Sequence, residues 1–307
     1  LKNLAARNEL IYTVKVAYFT VLKAQKLRDV ARQAVEDIAS HAQTASDFFQ
    51  QEMIAKNDLL EAQVRLAQAE QDLVRAEENV EGSRAAFNTI LHRDVNAAVA
   101  LVDVCDADQP ASGLAENHAL ALQRQPVIGA IDAGIRQAET AVRLAQGTYF
   151  PKVFLHSSYV RQGNQADVRG TPYDDPEAWQ ISVQADWTFW EWGKKSNVVG
   201  EQRVKLREAQ ELKKEVVDAV LLQVKDAWLR CEEHFKNIGV ARTAIARAEE
   251  NVRIYRNRFD QQMATTTDVL DAQTLMTRAH SNYHAARYDY CISRAALARA
   301  VGVPSDQ

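Results

Sequence analysis

Two short stretches of this 307-residue chain carry acids in a matching pattern. Residues 55–63 read AKNDLLEAQ and residues 265–273 read TTTDVLDAQ. In each, an Asp (Asp58 or Asp268) is followed by two aliphatics, an acid, an Ala and a Gln. Two kinds of chemistry suit them. A carboxylate at a helix start can cap free backbone N–H groups, and Thr265 with Asp268, or Asp58 with Glu61, fits a capping box. Repeated around a symmetric pore, the same carboxylates would form acidic rings that favour cations or pair with bases to hold the pore shut. Glu52 lies in the same turn as Asp58, Gln262 holds the equivalent place before Asp268, and Lys56 is a candidate basic partner.

Other residues carry weaker signals. His280 and His284 stand at i, i+4 spacing and could share a metal, although a solvated helix face explains them as well. His156, Ser157, Ser158 and Asp186 hold the side-chain types of a hydrolytic triad, but no nucleophile motif surrounds them. No Gly-rich phosphate loop is present. The reading is a non-enzyme with no catalytic residues, no cofactor and no metal. Cys105, Cys231 and Cys291 are far apart without a CxxC, which points to neither a disulfide framework nor a zinc site.

The elements that must position the two acidic stretches repeat with them. Sliding the chain by 210 positions superposes Val14, Lys15, Val30, Ala31 and Arg32 on Val224, Lys225, Val240, Ala241 and Arg242. Phe49 and Met53 meet Phe259 and Met263 without a gap, so an internal duplication is expected. Each copy predicts two antiparallel helices. Leu59, Leu66, Leu73, Val80 and Phe87 mark one heptad position, and Ala62, Ala69, Ala76, Ser83 and Ile90 mark another. The second copy repeats the seam with Val269, Met276, Tyr283, Tyr290 and Leu297, and with Ala272, Ala279, Ala286, Ser293 and Ala300. A period of 3.5 predicts coiled-coil packing, with small residues allowing close approach. Gly302 and Pro304 would end the last helix.

Between the copies the period changes. Residues 114–147 predict a helix of about half the length of the one expected over 194–262, so continuous and split helices could line one wall side by side. Residues 149–160 and 179–192 read as strands around a polar loop at 162–178. The second alternates Trp179, Ile181, Val183, Ala185, Trp187 and Phe189 with Gln180, Ser182, Gln184, Asp186 and Thr188. Trp179, Trp187, Trp190 and Trp192 crowd this region, as aromatics do where a barrel meets a membrane interface. A lone hairpin in water would be marginal.

Composition narrows the classes. Net charge is −4 and pI about 6.0, without the basic footprint of a nucleic-acid binder. Hydrophobic residues make up 47% of the chain, yet no stretch is long and apolar enough for a transmembrane helix. Few Gly and Pro favour long helices.

The order of these features resembles the outer membrane efflux protein family, the TolC-like channel-tunnels. FDQQMATTTDVLDAQTLMTRAHSNYHAARYDYCISRAALARAVG, residues 259–302, is similar to the family's C-terminal helix. DLLEAQVRLAQAEQDLVRAEENVEGSRAAFNTIL, residues 58–91, is similar to its counterpart in the first repeat, and TFWEWGKK, residues 188–195, looks like the strand exit. The resemblance implies a mainly α fold of long antiparallel coiled-coil hairpins in two repeats. It also implies a membrane β-hairpin that contributes to a trimeric β-barrel and α-barrel. Its parts would be a first-repeat hairpin (1–95), an equatorial linker (96–113), a half-length helix (114–147), an outer-membrane hairpin (148–193) and a second-repeat hairpin (194–303). It implies passive export as a homotrimer in the outer membrane of a Gram-negative cell. Helices would extend into the periplasm, and the partners would be a periplasmic adaptor, an inner-membrane pump and outer membrane lipid. A periplasmic coiled-coil adaptor or scaffold is the alternative, although lipoyl-type strands are absent.

Two departures from the family stand out. Its protomers give four strands to a 12-stranded barrel, whereas one hairpin here would give six per trimer. The repeat offset places the partner of residues 114–210 before Leu1, so about 100 residues and a signal peptide are expected upstream. Members also carry Gly six residues before each repeated Asp. Here Glu52 and Gln262 stand there, which puts the family's tight turn and adaptor-docking surface in question.

Overall fold

A computed structural model describes residues 2–106, 112–161 and 177–303. The order is α1 (Lys2–Gln50), α2 (Lys56–Ile90), α3 (Leu114–Arg124), α4 (Pro126–Gly147), β1 (Lys152–Arg161), β2 (Glu177–Asp186), α5 (Lys194–Asp260) and α6 (Thr266–Val301). The chain forms two compact units, Leu1–Ile128 with Val217–Gln307, and Gly129–Val216.

The first unit is the duplicated helical core. α1 packs along both α2 and α6. Every residue of both predicted seams is buried or half-buried, from Leu59 to Ile90 in α2 and from Val269 to Ala300 in α6. Small and large seam residues are enclosed alike: Ala62, Ala272, Val80, Val269 and Tyr290 are almost wholly buried. Around the middle of the unit, Leu22, Tyr288, Tyr290 and Ile238 close a core that also holds all three cysteines.

That core corrects one expectation. Cys105 and Cys291 form a disulfide, and Cys231 remains a buried free thiol. The pair is separated by 186 positions, so linear spacing carries no trace of it. The extended segment after α2 brings Cys105 onto α6.

A second correction concerns residues 114–147, which form two helices rather than one. Gln125 adopts φ −68 and ψ 118, because the ring of Pro126 excludes the helical region for the residue before it. The break is used. The Gln125 side-chain amide donates to the carbonyl of Ala300 at 2.8 Å, satisfying an orphan acceptor at the end of α6. Gly302 ends that helix at φ 79, and Pro304 lies outside the described residues.

The second unit holds the hairpin. β1 and β2 pair antiparallel from Lys152↔Asp186 to Arg161↔Glu177. β2 ends at Asp186, shorter than the expected run to residue 192, and Trp187, Trp190 and Trp192 follow it outside the ladder. The register would set Pro151 opposite Trp187, and proline has no N–H to extend the pairing. Most of the predicted loop at 162–178 lies outside the described residues.

Candidate functional site

The two acidic stretches sit at two equivalent helix-to-helix turns. α1 ends with Glu52 N–H donating to the Phe49 carbonyl at 3.0 Å and Met53 N–H donating to Phe48 at 2.9 Å. α5 ends the same way, with Gln262 N–H on Phe259 at 2.9 Å and Met263 N–H on Arg258 at 2.8 Å. This is a Schellman ending, which requires a left-handed residue just past the helix. Glu52 and Gln262 supply it at φ 59 and φ 61. The tight turn is therefore present without the expected Gly, which corrects the question raised by these two positions. Both side chains are exposed.

The returning helices begin differently. In α6, the Thr265 hydroxyl accepts from Asp268 N–H at 3.2 Å, and Asp268 Oδ2 accepts from Thr265 N–H at 2.9 Å. These reciprocal bonds make the predicted capping box. Bonds from the Thr265 backbone, then from its hydroxyl, hold the Asp268 pKa below the usual carboxylate value. In α2 the cap residue is Ala55, which has no side-chain oxygen, so the box expected for Asp58 with Glu61 does not form. Asp58 Oδ2 still accepts from Ala55 N–H at 3.3 Å. Glu61 instead accepts a bond from the Thr267 hydroxyl at 2.9 Å.

That bond joins the first turns of α2 and α6. Arg65 adds an ion pair to Asp271 at 3.5 Å, so the helix starts bearing Asp58 and Asp268 lie side by side. Among the described residues Lys56 makes no ion pair with Asp58, Asp268 or Glu52, and its side chain is exposed.

A partly buried polar layer that the sequence does not announce lies just behind the turns. Arg256 pairs with Asp37 at 3.2 Å, and the Gln273 side chain donates to the Asp37 carbonyl at 3.2 Å. His41 lies against the Phe259 ring, with centroids 4.8 Å apart, and Phe259 stacks on Phe48 at 5.4 Å. A polar cavity of about 190 Å³ opens beside His41, Arg256 and Asp260. Burial, then the Arg256 cation, pushes His41 from 6.5 down to about 4, with Asp260 opposing. In the sequence His41 and Arg256 are an isolated His and an isolated Arg in helical segments, with nothing to single them out.

The hairpin is amphipathic across both strands. Tyr159, Ser157, Leu155 and Val153 stand opposite Trp179, Ile181, Val183 and Ala185 on one face. Lys152, His156 and Ser158 stand opposite Asp186, Ser182 and Gln180 on the other, a mostly polar face that also carries Phe154 opposite Gln184 and Val160 opposite Ala178. Ile181, Val183 and Leu155 are 72%, 71% and 71% exposed. Tyr159 and Trp179 form an aromatic pair at one end of the ladder, 4.8 Å between centroids. At the other end Trp187 donates its indole N–H to the Tyr149 carbonyl at 3.1 Å, and Trp190 and Trp192 lie edge to face at 5.7 Å. Aromatics thus bracket an apolar band. The register also dismantles the triad: Ser157 faces away from His156, and Asp186 lies four residues along the ladder beside Lys152, about 13 Å off. His280 pairs with Glu249 at 3.3 Å, while half-buried His284 lies beside Lys26 and Asp29 on α1. Among the described residues no group of three or more His, Cys, Asp or Glu is placed to hold a metal. Among the described residues no helix is long and apolar enough to cross a membrane.

A duplicated coiled-coil hairpin that carries an amphipathic, aromatic-bracketed β-hairpin is the architecture of a channel-tunnel protomer. The chain belongs to the outer membrane efflux protein family, whose model matches residues 118–303. It is 24% identical to outer membrane protein TolC of Vibrio cholerae over 99% of this chain and 70% of that protein. Its fold matches the Vibrio cholerae outer membrane protein VceC at 16% identity and TM-score 0.84, covering 98% of this chain and 72% of that one. The Campylobacter jejuni CmeC outer membrane channel matches at 17% identity and TM-score 0.77, covering 97% of this chain and 63% of that one. The chain thus spans roughly two thirds of the length of these relatives.

Proposed function

We propose that the chain forms part of a passive export conduit across the outer membrane of a Gram-negative cell. Three copies contribute hairpins to one closed barrel, and their helices extend into the periplasm. The hairpin carries this reading. Among the described residues its two strands pair only with each other, and its apolar face is exposed to solvent along its length. Such a hairpin needs strand neighbours at its edges and a non-aqueous phase on one face. Lipid meets Trp179, Ile181, Val183 and Leu155, with Trp187, Trp190 and Trp192 at one interface. The opposite face, with Ser158, Gln180 and Ser182, lines the water-filled lumen.

The paired turns form the far end of the conduit. There Asp58 and Asp268, with Glu52 and Gln262 exposed beside them and Lys56 nearby, provide acidic rings when three protomers come together. The bonds from Thr265 favour the ionised form of Asp268, the form an acidic ring uses to attract cations. This end meets a periplasmic adaptor and an inner-membrane pump. Capping and gating use the same carboxylate without conflict.

Native mass spectrometry of the intact gene product in mild detergent tests the assembly: a trimer is expected, and a detergent-independent monomer or dimer overturns the reading. Asp268→Asn in the intact channel tests the gate. Loss of cation selectivity is expected, and unchanged conductance and selectivity remove the gating role.

A further inference from the structure

Residues 97–106, between α2 and α3, have no regular secondary structure, yet they lie fastened to the core. A backbone without a ladder must find its partners elsewhere. The buried Asn88 side chain donates to the Ala97 carbonyl at 2.8 Å. The Tyr18 hydroxyl donates to the carbonyl of Val102. Asp103 Oδ2 accepts from Tyr288 at 2.9 Å and from Arg287 at 3.1 Å, and Arg287 also donates to the Cys105 carbonyl at 2.8 Å. Burial works against the Asp103 charge, but these bonds and the Cys105 amide outweigh it and keep its pKa low. The Cys105–Cys291 disulfide then ties the segment covalently to α6.

We propose that this strap is closed by an oxidative maturation step, in which formation of Cys105–Cys291 locks the crossover between the two repeats onto α6. Both thiols lose their protons and two electrons in all. A protein disulfide of an oxidising compartment accepts the electrons through a mixed disulfide and leaves as a dithiol. Disulfides persist in such compartments and not in the reducing cytosol. The closed bridge is shielded, with Cys105 1% and Cys291 5% exposed. Cys231 shares the same core, but burial pushes its thiol pKa up, so little thiolate is present to attack the bridge. The bridge is the fastener of the strap; the Asp103 bonds alone leave it able to open.

Two measurements on the full chain test this. The chain is purified without reductant, then denatured and alkylated with iodoacetamide before reduction. Peptide mapping is expected to show Cys231 alone alkylated and Cys105 joined to Cys291. Three alkylated cysteines, or a bridge that includes Cys231, overturn the proposal. Hydrogen exchange of the amides in 97–106 is then compared between this chain and the Cys105→Ser/Cys291→Ser double variant. Both cysteines are replaced because a lone Cys291 would remain beside Cys231. Exchange on the order of tenfold faster in the strap is expected, with α2 unchanged. Equal strap exchange overturns the proposal. Should the double variant not fold, Asp103→Asn with the disulfide intact decides: a strap that stays protected supports the disulfide as the fastener, and one that opens refutes it.

Discussion

Glu52 and Gln262, 210 positions apart, adopt the same left-handed backbone conformation, φ 59 and φ 61, each two residues past the end of a long helix. Neither is a glycine, although the conformation favours one. The Cβ of an L-residue crowds its own carbonyl there, at about 1–2 kcal/mol per residue, while Gly loses more chain entropy on folding. Glu52→Gly and Gln262→Gly should therefore each stabilise the fold by about 0.5–1 kcal/mol. Denaturant midpoints of the two single variants and the double variant measure this. A fall in midpoint would mean that the native side chains hold the turn through bonds of their own.

Gly302 tests the opposite case. Its φ is 79, and a Cβ there would lie 2.9 Å from both the Arg124 carbonyl oxygen and the Gln125 Cα. Both obstacles are backbone atoms that cannot swing aside. Gly302→Ala should cost about 2 kcal/mol or more in unfolding free energy, well beyond a left-handed penalty alone. A loss under about 1 kcal/mol would show that the Gln125–Pro126 break gives way easily.

The two helix starts differ in their cap hydroxyl. Thr265 offers a hydroxyl to Asp268 N–H, whereas Ala55 has no side-chain acceptor and meets Asp58 N–H only with its backbone carbonyl, at 3.1 Å. Ala55→Thr should complete the box at α2 and add about 0.5–1 kcal/mol. Thr265→Ala should remove a comparable amount from α6. Thermal unfolding of the two variants reads both signs, and a neutral Ala55→Thr would mean that the α2 start frays before global unfolding.

His41 gives the helical core an acid-sensitive element. Its pKa in the fold, about 4, lies below the ordinary 6.5, so the unfolded chain binds the proton more tightly. Its contribution is complete above about pH 6.5, is lost progressively as pH falls toward 4, and levels off below. Arg256, Asp37 and Asp260 face the same cavity and set its charge balance. His41→Phe should flatten the stability profile between those pH values, as followed by urea unfolding at stepped pH. An unchanged slope would place the acid sensitivity elsewhere.

Much of this protein was legible in its residues alone. The 210-residue offset announced two hairpins, and the heptad positions from Leu59 to Phe87 and from Val269 to Leu297 became the buried seams, because side chains every 3.5 residues return to one helix face. The odd positions of 179–185 named the apolar strand face, because a strand alternates with period two. Thr265 and Asp268 announced their cap, since N-capping is local. What required the tertiary structure was everything set by distant approach. β1 showed no clear alternation, and only its pairing with β2 put Tyr159, Leu155 and Val153 on the face of Trp179. The bridge between Cys105 and Cys291, and the Thr267–Glu61 and Arg256–Asp37 contacts, join positions about 190 to 220 apart. No local rule encodes such pairs; they exist because α1 packs on both α2 and α6, which brings the second repeat against the first. The left-handed turns at Glu52 and Gln262 likewise had no Gly to announce them, and show only in the backbone bonds that close each helix end.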